Sequence, residues 1–260
     1  MHRFVGHECE ATHDDLAVEE PLQIRLAGED VAVTMRTPGH DTDLAVGFLY
    51  TEGIIQGKEQ LESVSYCVGP SGDIEPNIIN VSPADRQLLE PRAWGRNFYS
   101  TSSCGLCGKT SIEQITTRIK QATNTSKVSL DTLYSLEDKL RDAQTVFAQT
   151  GGIHAAGLFD LEGNLLAVRE DVGRHNAVDK VVGHALLNEM LPLDSHILIV
   201  SSRASFEIVQ KALVAGVNIM AVVSAPSSLA VELAREVGMT LVAFLRQGRL
   251  NVYSGAERIR

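Results

Sequence analysis

Residues 100–115, STSSCGLCGKTSIEQI, hold two cysteines, Cys104 and Cys107, in a stretch rich in glycine and serine. A thiol pair at this spacing can bind a metal, cycle between dithiol and disulfide, or carry a sulfur atom as a persulfide. The capping box Thr-Ser-Ile-Glu predicts a helix over residues 111–120. The N-terminus of that helix and the neighbouring Lys109 would both favour the thiolate form of a nearby cysteine.

The spacing of the cysteines can be compared with what a metal site and a redox pair each require. A structural zinc site needs four ligands, but this sequence has a single Cys-x-x-Cys pair, and Cys9 and Cys67 stand alone. Zinc is therefore disfavoured. A thioredoxin-type redox pair opens the helix that follows a strand, whereas residues 108–110 separate Cys107 from the predicted helix. The residues by themselves leave the sulfur-carrier and redox roles open.

Composition excludes some classes of partner. The 260-residue chain has a net charge of −10 and is 44% hydrophobic, as expected for a globular protein with a core and not for a broad nucleic-acid binder. Its charged N-terminus lacks the apolar segment of a signal peptide. The uncharged stretch 212–231 contains Gly, Asn, Pro and Ser, so we interpret it as a buried strand, a turn and a helix start. We expect a cytoplasmic protein without membrane contact.

The first half of the chain predicts an α+β arrangement. Alternating residues around Gly-Glu-Asp indicate a β-hairpin over 21–36, followed by an apolar helix over 42–52 and strands near 64–68 and 77–81. Residues 121–135 are polar with weak periodicity. We therefore predict an N-terminal α+β domain over 1–125, which ends with the Cys-x-x-Cys loop and its helix, and a second domain over 126–260.

The second half alternates strands and helices. Predicted strands cover 151–159 and 164–169 as a pair, then 196–201, 217–223, 241–245 and 250–253, with helices over 176–190, 205–214 and 228–237. This alternation predicts an α/β domain with a mostly parallel sheet covered by helices on both faces.

Three of the predicted strands end in polar or basic residues. These residues are 201–205 (SSRAS), 224–228 (SAPSS) and the segment containing Phe244, Arg246 and Arg249. If the strands are parallel neighbours, their ends meet at one edge, where helix N-termini and hydroxyls bind anions. We expect an anion site there, with Ser202, Arg203 and Ser224 among its residues.

A second polar cluster occupies residues 169–180, REDVGRHNAVDK. Arg174 and His175 open a predicted helix and could bind a phosphate or carboxylate, although a solvated loop and helix cap would have the same sequence. His154 lies in an apolar strand and is expected to be a satisfied core histidine.

Several of these motifs occur together and in order in one known family. They are TSSCGLCGK (101–109), GGIHAAGLF (151–159), EDVGRHNAVDK (170–180), SRASFEIVQKA (202–212) and VSAPSSLAVE (223–232). From about residue 100 to the C-terminus the chain resembles the FdhD/NarQ family of formate dehydrogenase accessory proteins.

The resemblance implies a sulfurtransferase. Cys104 would carry a persulfide received from a cysteine desulfurase, and Cys107 would assist. The acceptor would be the molybdenum bis(molybdopterin guanine dinucleotide) cofactor, before it enters apo-formate dehydrogenase. The family's cofactor-contacting segment falls on Phe244, Leu245, Arg246, Gln247, Gly248 and Arg249.

The resemblance also implies a cytidine-deaminase-like C-terminal domain with three α/β/α layers, and a homodimer. The sequence lacks the His-x-Glu and downstream Pro-Cys-x-x-Cys of zinc deaminases, so no metal is expected. Two alternatives remain: an assembly chaperone that binds the cofactor or apo-enzyme without sulfur chemistry, and a dithiol oxidoreductase.

Overall fold

The computed structural model describes residues 1–85, 98–99 and 126–260. Cys104, Cys107 and the helix predicted over 111–120 lie outside the described residues. The domain boundary proposed after residue 125 borders the same gap and stays a prediction.

A six-stranded sheet organises the second half of the chain. Its strands are β8 (His154–Asp160), β9 (Leu165–Asp171), β10 (His196–Val200), β11 (Ile219–Val222), β12 (Thr240–Arg246) and β13 (Arg249–Ser254). They lie in the order β13-β12-β11-β10-β8-β9. The helices are α2 (Leu130–Ala143), α3 (Thr145–Thr150), α4 (Arg174–Leu187), α5 (Phe206–Val214) and α6 (Ser228–Glu236).

This sheet is mixed, so the prediction of a mostly parallel sheet was wrong. β10, β11 and β12 are parallel to one another. The pairs β8–β9, β8–β10 and β12–β13 are antiparallel. Short turns join β8 to β9 and β12 to β13, and a short turn reverses chain direction. Among strands that are neighbours in the sheet, only those linked through α5 and α6 run parallel.

Helices cover both faces of the sheet, as predicted. Leu198 and Val200 of β10 pack with α4, α5 and α6 on one face. Ile197 and Ile199, the alternate residues, pack with Leu133, Leu136 and Leu140 of α2 on the other. Alternation along a strand therefore produces two apolar layers, each with its own helices.

The first half forms a second sheet of five strands, β5-β6-β3-β4-β7. These are β3 (Glu20–Leu26), β4 (Glu29–Arg36), β5 (Leu61–Val68), β6 (Ile74–Pro83) and the short β7 (Phe98–Tyr99), with β1 (His2–Val5) and β2 (Glu8–Ala11) forming a separate exposed hairpin. The hairpin predicted over 21–36 is confirmed as β3–β4. One face of the sheet packs on α1 (Asp41–Thr51) and on Leu186 of α4.

Helices α1 and α4 cross at two glycines. A Cβ atom built on Gly47 would collide with the carbonyl of Asp179, and one built on Gly183 would collide with the carbonyl of Asp43. Only the absence of side chains allows the backbones to approach this closely. The crossing joins the two halves of the chain.

Buried polar groups reinforce this junction. Lys211 on α5 lies 2.9 Å from Asp179 on α4, donates to Thr51 Oγ1 at 2.8 Å, and lies 3.2 Å from Glu52. Burial would lower the pKa of Lys211, but the carboxylates of Asp179 and Glu52 outweigh it and hold the pKa above its ordinary value. The lysine is therefore charged and connects three elements.

Helix α2 was missed by the sequence analysis, which treated residues 121–135 as a polar boundary. Its N-cap, Ser129, accepts a hydrogen bond from Thr132 N, and the leucines noted above form its buried stripe. None of the helices within the described ranges is long and apolar enough to cross a membrane.

Candidate functional site

The ends of β10, β11 and β12 meet, as the sequence predicts. Val223 N donates to Val200 O at 3.0 Å, and Ala204 N donates to Ala225 O at 3.2 Å. An isolated parallel bridge between Ala204 and Pro226 extends the contact beyond the strands. We call residues 201–205, 224–228 and 244–249 the strand-end edge.

Phe244 has the least common backbone geometry of this edge. Its φ is 53°, in the left-handed region that an aromatic residue rarely adopts. A β-bulge between Ala243 and Arg246 places it there, and its amide donates to Ser224 O at 3.1 Å. The side chain stays 40% exposed. Bulges that re-aim a side chain and strained residues both cluster at functional sites.

Arg246 links the strand-end edge to α2. Its Nη1 donates to Val223 O at 2.8 Å and lies 3.4 Å from Glu137 Oε1. The next residue, Gln247, lies within 3.5 Å of Asp138, also on α2. Gly248 and Arg249 are exposed. Leu245 is the exception, since its side chain is fully buried in the core and leaves its backbone as the available contact.

Residues 201–205, the first segment of the strand-end edge, include both buried and exposed side chains. Ser202 is 5% exposed and donates to Arg203 O, whereas Arg203 itself is exposed. Ser205 is the N-cap of α5, but its hydroxyl makes no capping hydrogen bond, unlike that of Ser227, which caps α6. The two turns therefore resemble each other in sequence but differ in how their hydroxyls are used.

A cavity of about 300 Å³ opens beside the strand-end edge, on the α2 side of the sheet. We call it the α2 cavity. Its walls come from α2, from Phe147 of α3, from the segment before β8 and from the first residues after β10 and β11. The lining residues are Glu137, Leu140, Arg141, Gln144, Phe147, Gly151, Gly152, Ile153, His154, Ser201 and Val223.

Arg174 and His175 lie on the opposite face of the sheet, in the first turn of α4. His175 Nε2 is 3.9 Å from Glu207 of α5, and this nitrogen is buried with no hydrogen-bond partner among the described residues. Burial, followed by the charges of Lys211 and Arg174, lowers the pKa of His175 to about 3. His175 is therefore a neutral imidazole at physiological pH.

His154 begins β8 and lines the α2 cavity, so the expectation of a purely core histidine was incomplete. Burial, then the charge of Arg174, lowers its pKa below the ordinary value. Because a lowered pKa favours the neutral form of both His154 and His175, the positive charge near the strand ends comes from the arginines. Within the described residues, no cluster of three His, Cys, Asp or Glu side chains could hold a metal ion.

Much of the polar stretch 169–180 is structural. Asp171 pairs with Lys180 at 2.8 Å and accepts a hydrogen bond from Thr37 N. Asn176 donates to Met35 O at 2.8 Å. These buried contacts fasten α4 to the end of β4, so the stretch is neither solvated nor free to bind a ligand as a whole.

Sequence reasoning missed Glu137 and Phe147 as site residues. Glu137 lies on the helix that was not predicted, and more than a hundred positions separate it from Arg246. The side chain of Glu170 accepts hydrogen bonds from Val146 N and Phe147 N, which fixes the start of α3. The apolar spacing of Leu133, Leu136 and Leu140 is the signal that could have revealed α2.

Comparison with known proteins identifies the family. The profile of the FdhD/NarQ family matches residues 17–260. The chain belongs to this family. FdhD/NarQ members similar to it include the sulfur carrier protein FdhD of Mycolicibacterium paratuberculosis, 52% identical over 253 residues that cover 96% of this chain and 93% of the relative.

Other members of the family agree in length as well as sequence. The sulfur carrier protein FdhD of Streptomyces coelicolor is 51% identical, over 95% of this chain and 89% of its own. A crystal structure of a protein assigned as a formate dehydrogenase accessory protein, from Desulfotalea psychrophila, superimposes with a TM-score of 0.80. It is 26% identical, and the match covers 100% of this chain and 97% of that one. The mixed α/β arrangement is thus shared with a protein assigned as a formate dehydrogenase accessory protein.

Proposed function

We propose that this FdhD/NarQ protein is a cytoplasmic sulfur carrier that serves formate dehydrogenase maturation. The observation that carries the proposal is the full-length similarity to proteins named sulfur carrier protein FdhD, at 52% and 51% identity. The solved structure assigned as a formate dehydrogenase accessory protein supports the same assignment.

In the proposed reaction, Cys104 is the carrier and Cys107 assists. The Cys104 thiolate attacks the outer sulfur of a desulfurase persulfide, forms a new S–S bond and releases the desulfurase thiol. The product is a Cys104 persulfide, and no electrons are gained or lost overall. Delivery of the outer sulfur as sulfide to the acceptor takes up two electrons, which an external thiol would supply by becoming a disulfide, and it regenerates the Cys104 thiol.

The proposed acceptor is the molybdenum bis(molybdopterin guanine dinucleotide) cofactor, bound as substrate at the strand-end edge. Arg246 and the exposed Arg203 and Arg249 supply cationic donors suited to phosphate. Phe244 offers an exposed aromatic ring on a strained, fixed backbone. These features suit a ligand that carries both diphosphates and planar bases.

A maturation assay tests this proposal. Formate dehydrogenase activity would be measured in a bacterial host whose own family member is deleted, after expression of this chain or its variants. We expect Cys104→Ala to abolish activity and Cys9→Ala, which changes an exposed free cysteine, to leave it intact. Activity that survives loss of both Cys104 and Cys107 would instead support a chaperone that does not carry sulfur.

A further inference from the structure

The crossing of α1 and α4 has a different polar cluster on each side of its two glycines. On one side, the buried and charged Lys211 joins Asp179 of α4 to the end of α1. On the other side, Asp43 in the first turn of α1 accepts a 2.8 Å hydrogen bond from Arg169 Nε of β9. This second cluster continues to His184, which follows the crossing glycine of α4. It therefore contains a group that titrates near neutral pH.

The geometry of the second cluster requires His184 to be neutral. Arg169 Nη2 lies 2.9 Å from His184 Nδ1, and a guanidinium can only donate hydrogen bonds. Nδ1 must therefore be the unprotonated ring nitrogen, which accepts. The amide nitrogen of Asn188 lies 3.2 Å from the same atom. The guanidinium is fixed in this position, because its Nε donates to Asp43 and its Nη1 donates to Val168 O at 2.9 Å.

A proton on Nδ1 of His184 would break this contact. It would set an N–H group against that of Arg169 and place two positive charges where the nitrogens are now 2.9 Å apart. Asn188 can rotate its amide to present its oxygen to the new N–H group, but the guanidinium has no acceptor to present. Burial, followed by the charge of Arg169, lowers the pKa of His184, and the carboxylate of Asp43 offsets them only in part.

The other charged groups around His184 do not favour its protonation. His40 precedes α1, and its Nδ1 lies 3.7 Å from Asp43 Oδ2 with 57% of its side chain exposed. Burial and then the charge of Arg169 lower the pKa of His40 as well. Lys180, one turn earlier on α4, is paired with a buried carboxylate at 2.8 Å. Asp43 would attract a proton to His184, but it already binds Arg169.

We propose that His184 is an acid-sensitive latch between the two halves of the chain. Neutral His184 completes the hydrogen-bonded chain through Arg169 to Asp43 and so holds the first turn of α1 on α4. Protonation releases Arg169, and this turn, which has no side-chain cap of its own, opens. The far end of α1 stays in place through the buried lysine cluster, and Asp41 stays bound to the first sheet through its 2.9 Å pair with Arg36. Mild acid therefore loosens one end of the junction and leaves both halves folded.

Proton linkage gives the direction of the effect. The opened turn exposes the imidazole of His184, with its ordinary pKa of 6.5, whereas the closed turn keeps a lower pKa. The opened state therefore binds more protons below 6.5, and opening increases as the pH falls. A free imidazole limits the increase between pH 7.5 and 5.5 to about tenfold. The latch does not depend on the proposed sulfur chemistry, in which none of its residues takes part.

Hydrogen exchange of the full chain tests the latch. Exchange at the amides of residues 44–47 would be followed by mass spectrometry at pH 7.5 and 5.5, and each rate divided by the intrinsic rate at that pH. We expect opening of this turn to increase by about three- to tenfold at pH 5.5, while the amides of β10 in the buried sheet stay protected. Equal opening at the two pH values would overturn the proposal.

Two variants identify the titrating group. In His184→Gln the side-chain oxygen accepts from Arg169 at either pH, so the ratio of opening between pH 5.5 and 7.5 should fall to about one. His40→Gln is the matched control, because it removes the neighbouring imidazole and should keep the wild-type ratio. Each ratio compares a variant with itself, so a general change in stability does not alter the result. A wild-type ratio in His184→Gln, or a ratio of about one in His40→Gln, would show that another group responds and would overturn the proposal.

Discussion

The amide of Phe244 donates a 3.1 Å hydrogen bond to the carbonyl of Ser224, joining the ends of two adjacent parallel strands. Through this bond and the neighbouring bulge, an aromatic residue is held at a φ of 53° with its side chain 40% exposed. A left-handed backbone costs a non-glycine residue roughly 1–2 kcal/mol. The strained backbone and the partly exposed side chain together favour a role in ligand contact.

Replacing Phe244 by glycine and by alanine separates strain from binding. Both variants lose the ring, but only glycine relieves the left-handed backbone. We expect Phe244→Gly to be about 1 kcal/mol more stable to unfolding than Phe244→Ala, with nucleotide binding weakened equally in both. Urea denaturation and calorimetry measure the two effects. Equal stability of the two variants would mean that the backbone at residue 244 is not strained, and unchanged binding would remove Phe244 from the site.

The crossing of α1 and α4 should tolerate no side chain at Gly183. Gly183→Ala drives a methyl group into the backbone of α1 at Asp43, and we expect a loss of about 1–3 kcal/mol in the free energy of unfolding. Gly152→Ala serves as control, because its added methyl has ordinary contacts at 3.8 Å. Similar stability of the two variants would show that the helices can separate without cost.

Removing a lysine from a buried ion pair should cost much more unfolding free energy than removing one from an exposed pair. Lys211→Met leaves Asp179 without its buried cation, and we expect about 3–5 kcal/mol of destabilisation. Lys58→Met removes an exposed pair with Glu189 at 2.8 Å and should cost about 0–1 kcal/mol. Denaturant titrations of both variants make the comparison. A cost for Lys211→Met as small as that for Lys58→Met would mean that Asp179 readily reaches water.

His175 should make the protein less stable in mild acid. Its pKa is about 3 in the folded chain against an ordinary value of 6.5, so between these values the unfolded chain binds a proton that the folded chain does not. Stability therefore falls as pH drops below 6.5, and we expect a His175 contribution of about 1.4 kcal/mol between pH 7.5 and 5.5.

The variant His175→Gln isolates that contribution. It keeps the other histidines, whose own titration then cancels in the comparison. Between pH 7.5 and 5.5, the unfolding free energy of the variant should decline by about 1.4 kcal/mol less than that of the wild type. Parallel pH profiles would indicate that His175 takes up a proton in the folded state near its ordinary pKa.

The features of the fold that were predicted correctly are those set by residues close together in the sequence. The strand ends at Val200 and Val222 could be placed because buried apolar runs stop at serine-rich turns. These ends lie close together because the two strands are parallel neighbours in the sheet. The strand pair β8–β9 was predicted, but the sheet as a whole is not mostly parallel, because β8 and β13 run antiparallel to their neighbours.

Contacts between distant positions could not be read from sequence. The Gly47–Gly183 crossing, the Glu137–Arg246 approach and the buried pair of Lys211 with Asp179 each join residues that no short-range periodicity relates. The acidic and basic stretch 169–180 suggested a solvated or ligand-binding loop, yet Asp171 and Lys180 neutralise each other in the interior. The sequence alone does not show which residue a charged side chain will pair with.

Mass spectrometry can show whether Cys104 carries sulfur. The protein would be incubated with a cysteine desulfurase and cysteine, and its intact mass and peptide map then recorded. We expect a gain of one sulfur atom, located on Cys104, removed by reductant, absent in Cys104→Ala and retained in Cys9→Ala. A protein that gains no sulfur and shows only a Cys104–Cys107 disulfide would contradict the sulfur-carrier assignment and favour a dithiol oxidoreductase.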